Sequence, residues 1–224
     1  MGWVICRRLT AVLALLALGG CGLVSFFNDD KQDHGWRVQA EKRCLAKGQV
    51  RANAYVQRLD PINGKGACGV GQPFLVQASL QGDVWLDPGA TLDCAMTDAL
   101  DQWLAQTVQP AAYRYFGVPA IGAKVLSSYA CRTRNSKPGA RISEHAFGNA
   151  IDVASFMLAG GRWVSAKSGW RGAGPERAFW REIHAGACKH FFTVLGPDAD
   201  SFHHDHLHLD LARHSRDGTS RYCK

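Results

Sequence analysis

Hydrophobic and polar positions divide the chain into three stretches. Residues 9–18 form an apolar run of about ten residues, half of the ~20 that a membrane-spanning helix needs. Residues 22–42, with Asn28-Asp29-Asp30-Lys31-Gln32-Asp33-His34 at their centre, are polar and lack an apolar period, as expected of a linker. The rest is patterned throughout. Cys44, Leu45, Val50, Ala54 and Val56 make an imperfect stripe that predicts a helix over 38–59, ended by Asp60-Pro61-Ile62-Asn63-Gly64. Phe74-Leu75-Val76 and Val84-Trp85-Leu86 read as short strands, with turns at Gln81-Gly82-Asp83 and Asp87-Pro88-Gly89. Thr97 is the expected N-cap of the clearest helix. Leu100, Trp103, Leu104, Val108, Ala111 and Tyr115 give it one core face, and Pro110 is expected to kink or end it.

Further strands are predicted over 125–129, 150–156, 191–195 and 207–211, with a helix over 176–190 that places Phe179, Ile183 and Ala187 on one side. There is no internal repeat, heptad or low-complexity tract. Helices mixed with short, hairpin-like strands predict an α+β fold, with helices packed on a small antiparallel sheet.

The first stretch reads as a targeting signal. Arg7 and Arg8 precede the apolar run, so residues 1–20 form a secretory signal peptide. Leu18-Gly19-Gly20-Cys21 resembles a bacterial lipobox, which implies lipidation of Cys21 as the first mature residue. Gly22 rather than an aspartate follows it, which by the same resemblance favours the outer membrane. The expected organisation is therefore a signal at 1–20, a lipid-anchored tether at 21–42 and one domain over 43–224, about 180 residues and enough for a full core.

Charge adds little to this picture. The chain carries +7, or +5 once residues 1–20 and their two arginines are removed. The basic residues are scattered, and an exported protein rarely meets nucleic acid, so a nucleic-acid partner is disfavoured. A mild attraction to anionic wall polymer or head groups fits better. Cysteine changes it more. Beyond Cys6 and Cys21 there are six, Cys44, Cys68, Cys94, Cys131, Cys188 and Cys223, with no CxxC pair. In an oxidising compartment three disulfides are expected, with 15 connectivities open and the C-terminus tied down through Cys223.

The candidate chemistry lies in two short segments. Ser143-Glu144-His145-Ala146-Phe147-Gly148-Asn149-Ala150-Ile151-Asp152 holds His145 and Asp152, with Gly148 able to turn the backbone so that they converge. Asp205-His206-Leu207-His208-Leu209-Asp210 holds His206 and His208, two apart and so on one face of a strand. Five of the nine histidines, His203, His204, His206, His208 and His214, fall within twelve residues. Two imidazoles and a carboxylate are a common ligand set for hydrolytic zinc.

Ser143-x-His145-x-x-Gly148-x-Ala150-x-Asp152 followed by His206-x-His208 resembles the zinc D-alanyl-D-alanine metallopeptidases and their lysostaphin-type kin. More closely, Ser128-Tyr129-Ala130-Cys131-Arg132, the two segments above and Thr193-Val194-Leu195-Gly196-Pro197 resemble the bacterial extensin-like C-terminal domain family over about residues 43–224. The resemblance implies that His145, Asp152 and His208 bind Zn2+, with His206 as general base in place of the glutamate many relatives use. It also implies that Arg132 holds a substrate carboxylate or developing oxyanion. Asp210 is then expected to orient a ligand imidazole or cap its strand, His203 and His204 to stand beside the site or in a loop, with His204 the one expected to line it, Ser143 to bond the local backbone, and Glu144 to be an alternative base. The expected partner is peptidoglycan or its stem peptides, cut by zinc-activated water or, alternatively, only bound.

Overall fold

The computed structural model describes residues 28–215 and 217–224. The signal peptide expected over residues 1–20 and Cys21 lie outside the described residues. The elements are α1 (Asn28–Ala46), β1 (Val56–Arg58), β2 (Ile62–Asn63), β3 (Gly69–Val70), β4 (Phe74–Ser79), β5 (Val84–Leu92), α2 (Cys94–Trp103), α3 (Gln109–Phe116), β6 (Ala120–Ser127), β7 (Ala150–Leu158), β8 (Trp163–Ser165), α4 (Ala166–Gly169), α5 (Gly174–Ala187), β9 (Thr193–Leu195), β10 (Leu207–Asp210) and β11 (Tyr222–Cys223). No helix among them is long and apolar enough to cross a membrane.

The mixed α/β class is as expected, but the sheet is neither small nor purely antiparallel. Nine strands form one sheet in the order β1-β4-β5-β6-β7-β10-β9-β11, with β8 paired to β7, and β2-β3 form a separate hairpin. The β5/β6 and β9/β11 pairs are parallel and the others antiparallel. Short apolar runs show that a strand exists but carry no record of its neighbour's direction.

The buried face is built as the periodicity predicts. Leu100, Trp103, Leu104, Val108 and Ala111 are buried, and they pack with Phe156, Phe179, Trp180, Ile183 and Phe191 in a single aromatic-rich core. Trp103 stacks at 5.8 Å from Phe156 and 5.9 Å from Phe191, and donates its indole N–H to the carbonyl of Ile183 at 3.0 Å. Pro110 neither ends nor simply kinks the helix. The helical path runs on from α2 through a π-turn over Leu104–Val108, and Pro110 falls in the first turn of α3, where its missing N–H is tolerated.

Several boundaries differ from expectation. The cap of α2 is Asp93, not Thr97: its Oδ1 accepts from the Met96 amide at 2.7 Å, and Thr97 lies buried one turn inside, its hydroxyl donating to the Asp93 carbonyl. Asp87-Pro88-Gly89 is not a turn but part of β5. The β4/β5 register breaks between Val76 and Ala78, so Pro88 falls in a bulge where no ladder partner needs its absent N–H. The strand expected over 125–129 begins earlier, at Ala120.

The N-terminal region departs most. Residues read as tether form the first part of α1, and the helix expected over 38–59 stops at Ala46. Gly48 ends it in the left-handed region (φ 61°), with its amide on the Leu45 carbonyl. The face that α1 buries is Arg37, Glu41 and Cys44, spaced at four and three residues, while Val38 is exposed. An apolar-stripe search misses a helix that buries its polar side.

The six cysteines pair as expected into three disulfides: Cys44–Cys94, Cys68–Cys131 and Cys188–Cys223. The first ties α1 to the start of α2. The last ties β11, which pairs with β9, to the end of α5, so Cys223 is fastened.

Candidate metal centre

Three adjacent strands bring the site together. In the β7/β10 pair, Asp152 stands directly opposite His208, and Ser127 at the end of β6 stands opposite Asp152 from the other side. Strand alternation sends Ile151, Leu207 and Leu209 to the core and leaves Asp152, His208 and Asp210 for the opposite face. His145 arrives from the single 3-10 turn Glu144–Phe147 that precedes β7.

Gly148 makes that turn possible. It adopts φ 63°, and a Cβ there would meet the Asp93 amide nitrogen at 3.0 Å and Val70 Cγ2 at 3.1 Å. The Asp93 N–H donates to the Gly148 carbonyl at 2.8 Å, and the Ala130 N–H to the His145 carbonyl at 3.1 Å. The turn is thus fixed from both sides, and His145 is fully buried.

His145, Asp152 and His208 present ligand atoms within 4.8 Å of one another and can hold a metal ion. His145 Nε2 lies 3.2 Å from Asp152 Oδ2 and 3.2 Å from His208 Nδ1, and His208 Nδ1 lies 2.8 Å from Asp152 Oδ1. The outward nitrogens are both committed. His145 Nδ1 donates to the Ser128 carbonyl at 2.6 Å, and His208 Nε2 donates to Asp210 Oδ2 at 2.9 Å. A carbonyl and a carboxylate only accept, so those nitrogens carry the ring protons and the two inward nitrogens offer lone pairs. Two lone pairs and a carboxylate converging on one point require a cation or an extra proton, and this donor set fits a divalent ion.

The electrostatics of the metal-free chain report the same demand. Burial opposes ionisation of Asp152, but hydrogen bonds from His145 and His208 outweigh it and hold the carboxyl well below its usual range. Burial also disfavours a charged His208, yet Asp152 and Asp210 push it up to about 10. A proton takes the place that a metal would claim.

The centre forms the floor of a cavity of about 390 Å³. His206, just before β10, lines it with Nε2 3.7 Å from Asp152 Oδ1, while its Nδ1 bonds Asp205 at 2.9 Å. Arg132 lines it as well, half-buried, its Nη1 donating weakly to the Thr133 carbonyl at 3.4 Å; among the described residues no carboxylate pairs with it. Ser143 is buried at the cavity edge and its carbonyl starts the turn, accepting from the Ala146 amide.

Two expectations are corrected. His204 is exposed and bonds the Ser201 carbonyl, outside the cavity lining; the histidine that comes close is His203, 5.6 Å ring to ring from His208 and held by Asp200. Glu144 is no spare base: Arg37 and Asn149 occupy its carboxylate. Sequence reasoning also passed over Arg134, Thr193 and Tyr222, which line the cavity walls. Tyr222 had one available signal, its place beside the tied-down Cys223.

The family model described as Extensin-like protein C-terminus matches residues 42–224. The chain belongs to that family. No curated protein matches it, and no solved structure does.

Proposed function

We propose that this chain is a cell-envelope lipoprotein, anchored through Cys21 and facing the periplasm from the outer membrane, whose domain hydrolyses amide bonds in peptidoglycan stem peptides. The observation that carries the chemistry is the convergence of His145 Nε2, His208 Nδ1 and Asp152 at the cavity floor, with both remote imidazole nitrogens held by acceptors. The location rests on the lipobox-like sequence at Cys21 and on three disulfides, the bonding of an oxidising compartment.

His145, Asp152 and His208 would hold zinc. Zinc bound there supplies Lewis acidity toward a carbonyl oxygen and activates a water near neutral pH. His206 Nε2 is placed to accept a proton in the cavity and return it to a leaving amine, while Asp205 fixes its ring through Nδ1. Arg132 presents a guanidinium with no carboxylate partner among the described residues, suited to a substrate carboxylate or a developing oxyanion.

Elemental analysis of the purified protein, wild type beside His208→Ala, tests the metal. About one zinc per chain, lost in the variant, is the expected result. No zinc in either protein after incubation with excess metal overturns the enzyme reading. Digestion of labelled muropeptides by zinc-replete protein tests the reaction. A protein that binds sacculi but releases no peptide is a wall-binding protein that keeps the site for structure.

A further inference from the structure

Outside the residues that the family model matches, one side chain packs on the turn that carries His145. Arg37, on α1, grips Glu144 with both arms of its guanidinium: Nε to Oε2 at 2.9 Å and Nη2 to Oε1 at 2.5 Å. Both groups are buried, 8% and 4% exposed. Asn149 donates to the same carboxylate at 2.6 Å, and the Arg37 guanidinium lies 4.2 Å from the Phe147 ring centroid. Glu144, Phe147 and Asn149 surround His145 on one turn and its exit. Arg37 therefore holds that turn directly at two positions, Glu144 and Phe147, and Asn149 only through the shared Glu144 carboxylate, none of them the ligand itself.

The helix that carries Arg37 is fastened independently. Cys44 is bonded to Cys94, and Glu41 accepts from the Gln72 amide at 2.8 Å. Trp36 stacks with Arg37 at 4.6 Å and with Arg213 at 5.2 Å, next to His214, whose Nε2 is 2.8 Å from the Thr193 hydroxyl on the cavity wall. An ordinary tether needs none of this. Burying the polar face of a helix against one catalytic-type turn is costly unless every charge is paired, and here the pairing falls on the residue beside His145.

We propose that α1 is a working part of the metal centre and that Arg37 is a positioning residue, which sets the His145 turn through Glu144. The bidentate fork fixes the Glu144 carboxylate in one orientation; the carboxylate braces Asn149, and the turn between them delivers Nε2 toward Asp152 and His208. Motion or strain on the N-terminal segment is then felt at a ligand. The inference rests on the reading of His145 as a ligand, and its test separates the two.

Amide hydrogen exchange of the metal-free full chain in detergent is compared for wild type, Arg37→Ala and Arg37→Lys. With Arg37→Ala, the amides of Ala146, Gly148 and Asn149 are expected to exchange about tenfold faster or more, while Val194 and Leu209 in the sheet keep their protection. Arg37→Lys keeps the charge but loses the fork, so a smaller rise confined to the same amides is expected, and this variant serves if the alanine protein does not fold. Zinc affinity, read by competition with a chromogenic chelator, should fall about 10- to 100-fold in Arg37→Ala and partly recover in Arg37→Lys. Exchange that is unchanged, or faster in turn and sheet alike, overturns the proposal and leaves α1 a stabilising clamp. A turn that loosens while zinc affinity holds overturns it too. Wild type that binds no zinc removes the ligand reading, and the exchange data then decide alone whether Arg37 sets the turn.

Discussion

The turn that carries His145 borders two buried carboxylates, Asp152 and Asp93, and their surroundings drive them in opposite directions. For each, burial is the largest influence and favours the neutral acid. Asp152 has two imidazoles against it and ends well below the usual carboxylate range. For Asp93, burial, with Glu41 and Glu144 nearby, outweighs the Met96 amide and the Arg37 charge and pushes it up to about 7. Burial does not determine the charge of an acid; the sign of what is buried with it does. One side of the turn is built to hold an anion that attracts a cation. The other holds a proton near neutrality and caps a helix.

The sharpest break in this comparison is Asp152→Ala. It removes the carboxylate that stands between the two imidazoles, so stoichiometric zinc binding should be lost. The metal-free protein should also lose about 3–5 kcal/mol, the usual result of stripping one partner from a buried charged pair. Metal content and urea unfolding read the two effects. A variant that still takes up one zinc per chain at wild-type affinity would mean that the ion sits elsewhere.

The Asp152 side of the turn was legible in the sequence and the Asp93 side was not. His145, Gly148, Asp152, His208 and Asp210 lie in two short segments, where chemistry and spacing are both visible, and they meet in the structure. The even cysteine count likewise announced three disulfides, though pairing depends on strand order, which local pattern does not encode. Asp93 was hidden by Thr97, another residue of capping type four positions on. Arg37 and Glu41 were hidden because a polar stretch reads as linker unless its partners are known, and those partners lie 107 and 31 residues away. Thr193 and Tyr222 reach the cavity through the sheet order, in which β11 closes beside β9, and Arg134 through the separate turn Arg134–Ser136. Distance along the chain, more than chemistry, set the limit.

Asp93→Asn sharpens the other half of the comparison. Asparagine keeps the oxygen that accepts from Met96, so the cap survives. In the wild type the folded carboxyl titrates near 7 and the unfolded one near 4. The folded state therefore holds its proton more tightly, and stability falls as pH rises from about 4 through about 7. Glu41, also raised by burial, slopes the same way. The variant should lack the Asp93 share of that fall and gain about 2–4 kcal/mol over wild type at pH 8, with little difference at pH 4. Urea unfolding of both metal-free proteins at the two pH values measures it, and taking the difference cancels His208. Equal pH slopes would place the Asp93 carboxyl at an ordinary pKa.

The smallest effect should come from Asp210→Asn, which tests whether the cation-attracting side depends on its outer partner. Asp210 uses both oxygens: Oδ2 accepts from His208 Nε2 at 2.9 Å and Oδ1 from the Ala212 amide at 2.8 Å. An amide has one oxygen, and the Ala212 N–H is fixed in direction, so the new NH2 should face His208. Nε2 must then accept, the ring proton moves to Nδ1, and the nitrogen that faces His145 and Asp152 no longer offers a lone pair. Zinc affinity should fall about 10- to 100-fold, roughly 1.4–2.7 kcal/mol, without unfolding the protein. Chelator competition gives the affinity, and the ring nitrogen chemical shifts of His208 show which nitrogen holds the proton. Weaker binding with Nε2 still protonated would assign the loss to charge alone; an unchanged affinity would show that His145 and Asp152 hold the ion without help from this side.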